Sequence, residues 1–196
     1  MKITLLTLVL FIGSLISLSA DVVDRIGQKD SISFANTTFN LKWSDKPRDN
    51  YYIQEYLPAN EELASFKQML TIHLFVTDLA VNSFVDLKVN ELIERKKTDL
   101  YCKYQVTKNP KGDEFIIDCL MSDGKNNSLA VIEFIAYRCK QIDLGDNKKG
   151  ILVFSYSNRG YSEEIPKFFE NLEEARNTYL KTMIEKEMPI IKLVKE

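Results

Sequence analysis

The chain has 196 residues, with 26 Lys and Arg against 28 Asp and Glu and a net charge of −2. That even balance excludes a polyanion binder, which would carry a clustered basic surplus, so no nucleic-acid partner is expected. With 45% hydrophobic and 11% aromatic residues, the composition is that of a folded chain rather than a disordered one.

Residues 1–20 read as an export signal. Met1-Lys2 supplies positive charge, Ile3 to Ile16 is almost unbroken apolar sequence, and Ser17-Leu18-Ser19-Ala20 is a small-residue exit before Asp21. The run is shorter than the roughly 20 apolar residues of a spanning helix, which favours a cleaved signal over an uncleaved anchor. No cysteine follows it for lipid attachment. The expectation is a secreted or periplasmic protein whose residues 21–196 form one domain, with no membrane span after cleavage.

Asp21 to Lys29 reads as a loose leader. Ile32 and Phe34, then Phe39, Leu41 and Trp43, alternate around Asn36-Thr37-Thr38 and predict a hairpin. Tyr51 to Leu57 reads as a strand stopped by Pro58, and the apolar run Gln68 to Val76 as a strand covered on both faces. Val81, Phe84, Val85, Val89, Leu92 and Ile93 recur at helical steps and predict a helix over 81–97. Strands follow at Leu100 to Thr107, Glu114 to Met121, Leu129 to Lys140 and Ile151 to Tyr156, then a helix over 166–187 and a terminal extended segment at Ile190 to Val194. Hairpin connections imply an antiparallel sheet, so the fold class is α+β: about six to seven strands with two amphipathic helices on one face or split across both.

Cysteine placement follows from the hairpin at Asn109-Pro110-Lys111-Gly112. If Asn109 stands opposite Gly112, Cys102 falls directly across from Cys119, close enough for a disulfide. A bulge at Gly112 would slip the register by one and send the two side chains to opposite faces. Cys139 is expected to be a free buried thiol.

Candidate chemistry is sparse. His73, the one histidine, lies on the strand face of Met69, Thr71 and Phe75, where a packed residue is expected rather than a catalytic base. No zinc spacing and no glycine-rich phosphate loop occurs, and Asp143 to Asn147 lacks the alternating ligands of a calcium loop, so no cofactor and no metal are expected. Two carboxylates can run acid–base chemistry without a histidine. Glu55 and Glu133 lie within strands, Glu133 with an expected position facing solvent or a helix edge, and Glu163-Glu164 precede the last helix. Trp43, Tyr51, Tyr52 and Tyr56 crowd one stretch of sheet and are the candidate contact surface. Sequons stand at Asn36 and Asn126.

The segment Tyr51 to Pro58 (YYIQEYLP), with Cys102 and Cys119 on later strands, resembles a pattern in small exported bacterial proteins. The order of elements is similar to the PsbP/Mog1-type α/β sandwich. The resemblance implies a binding or assembly module and carries over no functional residue. The functional expectation is an exported, non-enzymatic protein that recognises a protein or envelope component, for instance a periplasmic immunity or inhibitor protein. The alternatives are a small-ligand carrier with a pocket between sheet and helices, or a hydrolase.

Overall fold

Short-range alternation of apolar and polar residues sets the strands, and two residues with positive φ start the sheet. In this computed structural model, which describes residues 22–28, 30–125 and 128–193, Ala35 (φ 47°) and Asn36 (φ 64°) turn β1 (Ser31–Phe34) into β2 (Thr37–Arg48). Two successive positive-φ residues give the turn a twist that matches the flanking strands. The chain continues through β3 (Tyr51–Pro58) and β4 (Gln68–Val76) to helix α1 (Val81–Arg95). Then come β5 (Lys103–Lys108), β6 (Glu114–Lys125), β7 (Ser128–Gly145) and β8 (Lys148–Tyr161). One 3-10 turn, Ser162–Glu164, leads into α2 (Ile165–Glu185). The candidate signal at 1–20 and the sequon at Asn126 lie outside the described residues.

All eight strands form one antiparallel sheet, in the order β1-β2-β3-β4-β8-β7-β6-β5. The sheet has eight strands rather than the expected six to seven, because both edge segments, four-residue β1 and mostly exposed β5, pair into the same sheet as the rest. The meander β5–β8 folds back so that β8 pairs with β4, from Val76 opposite Gly150 to Gln68 opposite Asn158.

The helices divide between the two faces. On one face α1 places Val81, Val85 and Leu92 against Ile117, Cys119, Ile135, Tyr137, Cys139 and Val153. On the other, Ile165, Phe168 and Met183 of α2 join Phe34, Phe39, Tyr56, Ile72, Phe134, Phe154 and Tyr156. Gly160 lets α2 approach, since a Cβ there would stand 2.8 Å from the Cβ of Phe168.

The predicted leader is anchored rather than loose. Ile26 is 0% exposed within the α2-side core, and its carbonyl accepts a hydrogen bond from the Lys192 amide at 2.8 Å. The Arg25 amide donates to Gln54 Oε1 at 2.7 Å. The C-terminal segment that grips the leader packs Ile191 and Leu193 onto the same core.

Ionic ties fix the helix ends. Arg138 pairs with Glu114 and donates through Nη1 to the carbonyl of Met183 at 2.6 Å. Beyond α1, Asp99 accepts from Ser122 Oγ at 2.6 Å and from Arg95 Nε at 3.1 Å. Burial opposes the charge of Asp99, but these donors hold its carboxyl below the usual value.

Candidate functional site

Side chains on a strand alternate between faces, so the aromatic run of β3 cannot act as one surface. Tyr52 and Tyr56 point to the α2 side. Tyr56 is 0% exposed, and its hydroxyl accepts from Gln54 Nε2 at 2.7 Å, while Lys46 Nζ lies 5.4 Å from the Tyr52 ring. Tyr51 and Trp43 lie on the α1 side. Tyr51 stacks on Phe75 with ring centroids 4.5 Å apart and planes within 2°. Of the four candidate aromatics, therefore, only half-buried Trp43 adjoins the polar cluster described next.

The cross-strand register assembles that cluster. Glu55 stands opposite Trp43 on β2 and opposite Thr71 on β4, and Thr71 stands opposite Ser155 on β8. One rung along, Met69 faces Ser157; one further, Arg159 faces Glu133. Directly paired residues share a face, with Cβ atoms about 4.5–5.5 Å apart. Helix α1 packs on β6 and β7. Glu55, Trp43 and Met69 on the strands beyond are half-buried.

Of the two expected positions for Glu133, solvent or a helix edge, the structure excludes solvent. Glu133 is 6% exposed because β7 is an interior strand covered by α1, and Arg159 Nη2 pairs with its Oε2 at 3.1 Å. The same guanidinium lies 3.9 Å from the centre of the Phe66 ring, a cation–π contact. Arg159 Nη2 is thus engaged by Glu133, while its Nε is buried without a hydrogen-bond partner among the described residues. Glu55 makes no hydrogen bond and no ion pair with any described residue. Burial pushes its carboxyl up to about 7; Arg159 opposes that rise and Glu133 adds to it. Thr71 and Ser157 are each 5% exposed, and neither side-chain hydroxyl has a hydrogen-bond partner among the described residues. Ser155 differs, since its Oγ donates to the Thr71 carbonyl at 3.4 Å.

His73 is held as a packed neutral residue. Burial, with Lys88 second, lowers its pKa to about 3. The Tyr51 hydroxyl and His73 Nδ1 share a hydrogen bond at 2.9 Å.

The cysteine expectation needs correction. Asn109 Oδ1 accepts from the amides of Gly112, Asp113 and Glu114 at 2.8, 3.1 and 3.2 Å. That side-chain turn moves the first ladder contact outward, so the Asn109 amide donates to the Glu114 carbonyl, while the Gly112 amide donates to the Asn109 carbonyl within the turn. The register shifts by two: Cys119 faces Tyr104, and Cys102 lies just before β5. All three cysteines are buried free thiols, and Cys102 Sγ lies 3.6 Å from the Leu92 carbonyl.

The remaining candidates are structural. Asp143 Oδ1 accepts from the Gly145 amide at 2.8 Å in the β7–β8 turn, and Glu164 pairs with Lys67 at 2.7 Å. Among the described residues, no three His, Cys, Asp or Glu side chains converge as a metal site. No helix among them is long and apolar enough to cross a membrane. An open hollow lies between the β1–β2 turn and the end of α2, lined by Ser33, Asn36, Thr182 and Glu185.

A family model matches residues 26–188, from the first core residue of the leader to Met188. The chain belongs to this uncharacterised family. No curated protein and no solved structure matches it.

The matched span thus contains the whole sheet, both helices and the Glu55 cluster. Chemically, the cluster can accept hydrogen bonds through a carboxyl group and two hydroxyls, and can exchange a proton near neutral pH. Sequence reading noticed Glu55 and Glu133 separately. The signal for the cluster was the same-face spacing of Ser155, Ser157 and Arg159 on one strand, which gains meaning only once β8 is paired with β4.

Proposed function

We propose that the chain is an exported binding protein that works without catalysis and takes a protein or envelope component against the α1-side face around Glu55. A periplasmic immunity or inhibitor protein is the sharper form of this reading, and a PsbP/Mog1-type sandwich the sharper form of the fold. The observation that carries it is half-buried Glu55, which no described residue hydrogen-bonds or pairs, directly opposite half-buried Trp43. A carboxyl raised to about 7 by partial burial gains from a partner that supplies donors to it. An aromatic beside it adds contact area of the kind that anchors interfaces.

The test is recovery of the protein from its native envelope, with the N-terminus read by mass spectrometry. A start at Asp21, and a stoichiometric partner retained by the wild type but lost in Trp43→Ala, supports the reading. An intact N-terminus in the cytosol, or a partner retained equally by Trp43→Ala, contradicts it.

A hydrolase is the second reading, favoured by one observation. A carboxyl held at about 7 beside a second carboxylate is suited to general-acid work. Turnover of a substrate abolished by Glu55→Gln would decide for it.

A further inference from the structure

We propose that β5 is a docking edge for an extended, acidic segment of a partner protein, which joins the sheet as a further antiparallel strand. This surface is separate from the Glu55 face, because β4, β8, β7 and β6 stand between β3 and β5.

The parity of the ladder determines which backbone groups of β5 are free. The Asn109 amide bonds the Glu114 carbonyl in the same register as the β5–β6 pairs, so Lys103, Gln105 and Thr107 turn their amides and carbonyls toward β6. Tyr104, Val106 and Lys108 turn theirs outward from the last strand of the sheet. No described residue hydrogen-bonds those outward groups. The ladder runs without a bulge, the strand contains no Pro, and five of its six residues are exposed. An edge of that kind accepts a peptide strand through main-chain hydrogen bonds. The opposite edge does not match it, since β1 has four residues and by the same parity only Ser31 and Ser33 face outward.

Charge selects the occupant. Lys103, Lys108 and Lys111 fall within residues 100–112, a stretch with no Asp or Glu. None of the three forms an ion pair with a described carboxylate. On adjoining β6, Glu114 is taken by Arg138, and Asp118 by Arg176 at 2.7 Å. Edge lysines resist like-with-like pairing, and a second copy of β5 would gather the lysines of both strands along a seam without a carboxylate. An acidic strand turns the same lysines into an attraction.

Alternation then sets the pattern of the segment. Read antiparallel to β5, a carboxylate opposite Lys108 is followed two positions later by an apolar side chain opposite Val106, which is 39% exposed. Three positions further comes a carboxylate opposite Lys103. Past Lys103 the edge runs into Leu100, 94% exposed, and Tyr101, whose ring stacks on Phe169 with centroids 5.8 Å apart. That exposed apolar surface receives an apolar residue at the end of the segment.

The experiment titrates the full chain into fluorescein-labelled acetyl-Thr-Glu-Thr-Val-Thr-Thr-Glu-Thr-Leu-amide at low salt and follows anisotropy. The peptide binds at least about fivefold tighter than its Gln-for-Glu counterpart, as two exposed ion pairs allow. N-methylation of its valine, whose amide enters the ladder opposite Val106, weakens binding far more than N-methylation of the following threonine, whose amide points away. Val106→Pro removes an outward donor while leaving the β6 ladder whole, and it abolishes binding. The double variant Lys103→Glu, Lys108→Glu transfers the preference to the Lys-for-Glu peptide. No binding of any peptide, equal binding of the Glu and Gln peptides, or equal effects of the two N-methylations would overturn the proposal. So would binding that survives Val106→Pro, or a dimer of the full chain that Val106→Pro dissolves, which would give the edge to a second copy.

Discussion

Glu55 on β3 stands directly opposite Trp43 on β2, and the chain contains no other tryptophan. A carboxyl group shifted by burial thus has an optical reporter across one ladder rung. On its other side is Thr71, and two rungs on is the Arg159–Glu133 pair that partly sets its charge.

Stability should register the burial of Glu55. Its folded-state pKa, about 7, lies above its ordinary 4.5, so the stability it contributes is complete below about 4.5 and is lost as pH rises through 7. His73 acts in the opposite sense: its folded pKa of about 3 lies below 6.5, so it weakens the fold as pH falls under 6.5. Urea midpoints of Glu55→Gln should match the wild type near pH 4.5 and exceed it at higher pH, by a limit of about 3 kcal/mol above neutrality. A constant difference between the two across that range would argue against a buried, unpaired Glu55.

Removing Arg159 should leave Glu133 charged and nearly enclosed. Arg159→Met is expected to cost about 3–5 kcal/mol, the range for breaking a buried ion pair from one side. Adding Glu133→Gln to it should recover part of that loss. A double-mutant cycle in urea checks this, and additive losses would mean that the pair at 3.1 Å is not energetically coupled.

The thiols should be silent in the folded protein. Burial pushes Cys119 and Cys139 up to about 12 and raises Cys102 as well, so little reactive thiolate forms near neutrality. A thiol reagent should find little to react with under native conditions and all three groups after unfolding. Recovery of one thiol from unfolded, unreduced protein would reveal a bridge.

Phe154 is 0% exposed at the centre of the α2-side core, with the Phe34 ring edge-on at 6.2 Å. Phe154→Ala should cost about 3–5 kcal/mol, the usual penalty for emptying an aromatic site. Val106→Ala on exposed β5 should change little, so a comparable loss there would put the core elsewhere.

Local pattern made most elements legible. The helical stripe predicted α1 over 81–97 against Val81–Arg95, and α2 over 166–187 against Ile165–Glu185. The doubly apolar run at Gln68 became an interior strand covered on both faces. What pattern could not supply was register. The Asn109 side chain closes its own turn and shifts the β5–β6 ladder by two, which moved Cys102 away from its expected place opposite Cys119. Pairing of β4 with β8 depends on closure over the whole meander, and no local residue encodes it. For the same reason alternation left Glu133 between solvent and a helix edge, and the Glu55 cluster stayed hidden. Ile26 was missed because a lone apolar residue in a polar leader has no periodicity to reveal it.

The central claim is that Glu55 is a half-buried carboxyl, pushed up to about 7, that no described residue hydrogen-bonds or pairs. Following Trp43 fluorescence from about pH 4 to about pH 9 in the wild type and in Glu55→Gln tests it most directly, because protonation of a carboxyl across one rung alters the emission of the indole. The account predicts a transition centred near 7 in the wild type and none in Glu55→Gln. A wild-type midpoint at the ordinary glutamate value of 4.5, or a transition near 7 that survives the substitution, would contradict it.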